Sequence, residues 1–120
     1  MIDIQPVHLH DIGPKVSNLH EGLLFLVLHQ PGISDNNRKT LQQRLAPDLE
    51  PPTYGDATAE LVGIWQYQLQ NWPDYLPALP EKLKAKLPKP PMLPIGKGNG
   101  DVDKVTAEAL NWLLKKLGAL

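Results

Sequence analysis

Tyr54-Gly55-Asp56-Ala57-Thr58-Ala59-Glu60-Leu61-Val62-Gly63-Ile64-Trp65-Gln66 reads as a tight turn running straight into an amphipathic helix. Gly55 supplies a turn conformation closed to other residues, Asp56 sets a negative charge in the first helical turn, and Thr58 is placed to bond backbone groups there. From Thr58 onward, Leu61, Val62, Trp65 and Leu69 recur at three- and four-residue spacing and form one stripe, with Glu60, Gln66, Gln68 and Gln70 largely off it. Such a stripe needs other elements to bury it.

Upstream, Gly13-Pro14 predicts a second helix start, because proline at the first helical position has its φ ready and gives up no needed hydrogen bond. That helix runs to about His29 on Val16, Leu19, Leu23, Leu26 and Val27, and Leu24, Phe25 and Leu28 widen its apolar face, so it is expected to be central. Pro31-Gly32 ends it, and Ser34 or Asp35 caps a shorter helix to Ala46, stopped by Pro47 and Pro51-Pro52. Residues 1–12, with alternating Val7-His8-Leu9-His10, are expected to form an extended N-terminal arm. Downstream, Pro73 stops the central helix near Asn71, and a proline-rich excursion over 72–97 holds one amphipathic island, Glu81 to Leu87, with Leu83 and Leu87 as docking residues. The glycine-rich turn 96–100 follows, then Asp103 caps a last helix from Lys104 to Leu117 with Gly118 as its stop.

The predicted fold is therefore all-α: a compact orthogonal bundle of three main helices with one or two short ones and a long proline-rich loop, in a single domain over 13–118. At 120 residues, 42% hydrophobic and 21% charged, the chain is ordinary for one globular domain. A net charge of -1, from 12 basic and 13 acidic residues, provides no positive field for nucleic acid or an anionic membrane. No apolar run approaches the roughly 20 residues of a spanning helix, and Met1-Ile2-Asp3-Ile4 lacks the charged and apolar regions of a signal peptide. Without cysteine there are no disulfides, thiolate nucleophiles or cysteine zinc sites.

The three longest helices start alike. Gly13-Pro14-Lys15-Val16 with Leu19 and Leu23, Gly55-Asp56-Ala57-Thr58 with Leu61 and Trp65, and Asp103-Lys104-Val105-Thr106 with Ala109 and Leu113 share one spacing, and Thr58-Ala59-Glu60 recurs as Thr106-Ala107-Glu108. Together these motifs resemble the peptidoglycan-binding-like domains, small three-helix modules attached to many cell-wall hydrolases. Gly13-Pro14-Lys15-Val16, Leu19-His20 and Leu23 resemble the family's opening Gly-Pro-x-Val-x-x-Leu-Gln-x-x-Leu, with His20 in place of Gln. Tyr54-Gly55-Asp56-Ala57-Thr58, Val62 and Trp65-Gln66 resemble its central Phe-Gly-x-x-Thr-x-x-x-Val-x-x-Phe-Gln. Gly100-Asp101-Val102-Asp103-Lys104-Val105-Thr106 with Ala109-Leu110 resembles its closing motif, with Asp103 in place of the second Gly. The segments 31–53 and 72–99 are longer than the family's connections, and the short aspartate-glycine turn before the central motif is missing.

The resemblance implies a non-catalytic binding module for cell-wall glycan or stem peptide, cell-wall-associated or extracellular, with its groove near the first turns of the central and last helices. Tyr54, Asp56, Thr58, Asp101 and Asp103 would surround that groove and Tyr67 or Trp72 would flank it. An alternative keeps the fold without the sugar site, as a protein-interaction or spacer domain of a larger bacterial polypeptide of the toxin-complex or sialidase-like kind. No catalytic residue or cofactor is expected. There is no Gly-x-Ser-x-Gly elbow or His-Glu-x-x-His helix, and Asp101 and Asp103 would repel phosphate from the glycine-rich turn. The pairs Asp56/Glu60 and Asp101/Asp103 read as helix caps and dipole partners. His8, His10, His20 and His29 lack metal-ligand spacing and read as structural or solvent-exposed.

Overall fold

Each of the nine stripe positions shared by the three turn-helix units is buried: Val16, Leu19 and Leu23, Thr58, Leu61 and Trp65, and Thr106, Ala109 and Leu113. They converge because the units fold as helices around one core in the computed structural model, which describes residues 3–70, 78–86 and 101–120. In chain order the elements are β1 (Val7–His8), α1 (Pro14–His29), α2 (Asp35–Leu45), a 3-10 turn (Ala46–Asp48), α3 (Asp56–Gln70), α4 (Glu81–Lys84), β2 (Asp101–Val102) and α5 (Lys104–Lys116). Among the described residues the fold is all-helical apart from the small pairing of β1 with β2 and an isolated antiparallel bridge between Ile12 and Thr53. As its wide apolar face predicts, α1 is central, packing against α2, α3 and α5. None of the described helices is long and apolar enough to cross a membrane.

The helix ends follow local chemistry. Gly13 has φ 120°, a conformation that favours glycine, and delivers Pro14 to the first position of α1. Ser34 caps α2 by accepting the Asn37 N–H at 3.2 Å, and Asp103 caps α5 by accepting the Thr106 N–H at 2.7 Å. At the far end of α5, Gly118 takes φ 92° and lets Ala119 N–H close on the Leu114 carbonyl at 2.9 Å.

Residues 3–9 pack along the helices and put two side chains into the core. Ile4 and Val7 are buried, Val7 pairs antiparallel with Val102, and His8 with Asp101. Asn111 on α5 grips the arm with both ends of its amide, accepting Ile4 N–H at 2.6 Å and donating to the Ile4 carbonyl at 2.9 Å. The arm crosses α1 at Gly22, where a β-carbon would stand 3.0 Å from the Ile4 Cδ1 atom. Of the proline-rich excursion, the short α4 keeps Leu83 against a small cluster of Leu69, Leu79 and Ala109. Trp72, Leu87 and the glycine-rich turn 96–100 lie outside the described residues.

Candidate functional site

The turn before α3 is built around a residue absent from the expected set. Asp48, at the end of the 3-10 turn, is buried, and its Oδ2 atom accepts three hydrogen bonds: from Gly55 N–H at 3.1 Å, Thr58 N–H at 2.7 Å and the Thr58 hydroxyl at 2.6 Å. With Asp56 as the first residue of α3, Thr58 is the third, so Asp48 performs the capping role from ten residues upstream. This corrects two local readings. Thr58 turns its hydroxyl to a remote carboxylate, and Gly55 is glycine for want of space, since a β-carbon there would lie 2.7 Å from Asp48 Oδ1. On its other side the Thr58 oxygen meets His20 Nε2 at 2.8 Å. Because that oxygen already donates to Asp48, it accepts from an Nε2–H tautomer, which leaves the buried His20 Nδ1 without a proton or a partner.

Aspartate, threonine and histidine in one hydrogen-bonded line suggest acyl-transfer chemistry, but the order is wrong for it. A hydrolytic triad puts imidazole between carboxylate and hydroxyl so that it can take the hydroxyl proton. Here the hydroxyl is in the middle and fully buried, so it holds no proton for imidazole to take and faces no substrate. Burial lowers the His20 pKa from 6.5, against the opposing pull of Asp48, and keeps the ring neutral. The cluster is a structural clasp joining α1, the 3-10 turn and α3.

Of the expected site residues, Tyr54 and Thr58 are buried away from any surface. Tyr54 has a fully buried ring, a hydroxyl without a partner and a pKa raised above its usual 10.0, first by burial and then by the charge of Asp101. Thr58 is equally inaccessible. Asp101 accepts Leu9 N–H at 2.9 Å and pairs with His8 Nδ1 at 3.4 Å, so it holds the arm, while Asp103 caps α5. Asp56 and Tyr67 are exposed. They stand eleven residues apart on α3, roughly 16 Å along its axis. Trp72 lies outside the described residues. Among the described residues no group of three or more histidine, aspartate or glutamate side chains is placed to hold a metal ion.

A concave site lies elsewhere. The last turn of α1, the loop after it, α2 and the middle of α3 enclose a groove of about 340 Å³. This is at the small end of the ligand-site range of about 300–1,000 Å³. Val27, Leu61 and Trp65, all buried, supply apolar lining, while Asn37, Thr40 and Arg44 supply polar lining. The backbone of two lining residues is held from outside the groove by Arg38, whose guanidinium donates to the Val27 carbonyl at 2.6 Å and the Gln30 carbonyl at 2.8 Å, satisfying the free end of α1. Gln30, completely buried, donates from Nε2 to Gln68 Oε1 at 2.9 Å, and its own Oε1 has no partner. Arg44 is paired at 3.1 Å with Glu60, both largely exposed. The signal for Gln30 and Gln68 is in the sequence: each continues an apolar stripe, Leu23-Val27-Gln30 and Leu61-Ile64-Gln68, at three- or four-residue spacing. A polar residue on a buried stripe needs a partner, and that is the cue the expected site passed over. Compared with known proteins, the chain matches no family model, no curated protein and no solved structure.

Proposed function

We propose that this chain is a non-catalytic binding module whose ligand lies in the α1–α2–α3 groove, with cell-wall glycan or stem peptide as the ligand class. The observation that carries the site is the groove itself: of ligand size, apolar at Val27, Leu61 and Trp65, and lined, among the described residues, by uncharged hydrogen-bonding groups with one cation, Arg44. That lining suits a neutral or weakly anionic polar ligand. The ligand class rests on the three turn-helix motifs and their resemblance to peptidoglycan-binding-like domains. Retention on purified cell-wall sacculi tests it, with Ile64→Lys, which places a charged chain in the groove lining, as the comparison. Retention that falls in the variant supports the reading. A folded protein that passes through unretained refutes the ligand class, and equal retention of the variant refutes the groove.

A further inference from the structure

Gln30 ties together the three helices around the groove. It closes α1, its own N–H bonding the Leu26 carbonyl at 2.9 Å. Its carbonyl accepts from Arg38 of α2 at 2.8 Å, and its side-chain Nε2 donates to Gln68 of α3 at 2.9 Å. Three of its hydrogen-bonding groups thus serve three different helices. The fourth, Oε1, is buried without a partner.

For stability alone, glutamine is a poor choice here. The position continues the apolar face of Leu23 and Val27, and the residue is completely buried. Burying an amide with its acceptor unsatisfied is unfavourable, and the return is one neutral hydrogen bond to a side chain that is itself only half-buried. A leucine would bury apolar surface with no polar group to satisfy. It would strand little, because the released Gln68 is within reach of water. What the amide supplies and leucine cannot is direction: a hydrogen bond holds only over a narrow range of distance and angle, whereas apolar attraction is non-directional. Departures of this kind from the stability optimum collect at functional sites.

The groove is where that direction matters. Gln30 and Gln68 both line it, as does Val27, whose carbonyl is the other acceptor of Arg38 at 2.6 Å. Only Leu45 of α2 is buried, and the ion pair from Arg44 to Glu60 is exposed and weak, so α2 depends on the two Arg38 bonds for its place. We propose that Gln30 is the positioning residue of the groove. Its amide fixes the end of α1 against α3, α2 follows through Arg38, and the groove has its width before a ligand arrives. Such preorganisation raises affinity by taking the ordering cost out of the binding step. The inference rests on the groove being the binding site proposed above and is independent of which ligand the groove takes.

Gln30→Leu in the full chain separates positioning from stability. Its urea midpoint should equal or exceed that of wild type, since the variant loses an unsatisfied buried group. Amide hydrogen exchange followed by NMR should quicken about tenfold along α2 and stay unchanged in α5, as for a local unit that has lost one hydrogen bond. Half-saturation of sacculi should need about tenfold more protein. Gln30→Met, unbranched and close to glutamine in length, serves if the leucine variant loses its dispersed spectrum. A lowered midpoint or unchanged α2 exchange overturns the proposal. Faster α2 exchange with undiminished retention keeps the tie between helices and overturns the groove as the binding site. Wild type that is not retained overturns the ligand class alone, and α2 exchange still decides the role of Gln30.

Discussion

Replacing Asp48 by alanine removes the acceptor for three donors at once, two of which, the Thr58 N–H and hydroxyl, are buried. Losing a helix cap costs about 1 kcal/mol. Stranding a buried donor costs about 1–3 kcal/mol more. The Thr58 hydroxyl has a fallback in the Thr53 carbonyl at 3.2 Å, so only the N–H is fully stranded. The sum is a loss of about 3 kcal/mol, large against the roughly 5–15 kcal/mol of an ordinary domain. Urea unfolding followed by circular dichroism at neutral pH measures it, and the expected result is a lower midpoint with an unchanged slope. The companion variant Asp56→Ala touches only an exposed charge in the first turn and should cost about 0.3 kcal/mol. A loss of less than about 0.5 kcal/mol for Asp48→Ala, or a larger loss for Asp56→Ala, would refute remote capping and return the start of α3 to its own residues.

Three further outcomes follow from the same packing. Gly55→Ala, which restricts the unfolded chain and would on that ground alone stabilise by about 0.4–1 kcal/mol, should instead destabilise by about 1–3 kcal/mol because its β-carbon enters the Asp48 carboxylate; thermal unfolding checks the sign. The lowered pKa of His20 means that the unfolded chain binds the proton first. This contribution to stability is therefore full above pH 6.5 and is lost as pH falls from there through the folded-state pKa. Urea midpoints between pH 7.5 and 5 should fall, and His20→Gln, which can still donate to Thr58, should flatten that part of the profile. For Tyr54 the raised pKa has the opposite consequence: its stabilising effect is full below 10.0 and is lost at more alkaline pH. In an ultraviolet absorbance titration, one of the three tyrosines should resist ionisation until the protein unfolds.

Helix identity was legible because its determinants are local. Pro14, Ser34, Asp103 and Gly118 each act on backbone groups within a turn, and the three- and four-residue recurrence of Leu, Val and Trp marks the buried face whatever it packs against. That recurrence also located the shared turn-helix unit, all nine of whose stripe positions are buried. Spacing alone could not say how each unit begins. Gly13 starts α1 by backbone conformation, Asp103 starts α5 with its own side chain, and α3 borrows Asp48 across ten residues.

The candidate site was legible only as residue types. Tyr54 and Thr58 belong to a turn pattern that suits a rim, yet an aromatic ring and a hydroxyl are equally suited to a core that supplies a partner or excludes water, and their burial is decided by what packs over them. Asp101 was visible as an acidic turn residue, but its work of holding Leu9 and His8 spans more than ninety positions.

What the chain determines by itself, then, is where helices start, stop and turn their apolar faces, since hydrogen-bond caps and side-chain periodicity are properties of neighbours in sequence. Only the tertiary structure decides that Asp48 closes the turn at Gly55, that residues 3–9 complete the core, and that Gln30 and Gln68 meet across a groove with one hydrogen bond too few. Those meetings depend on helix crossings, and a crossing joins side chains that no local pattern relates.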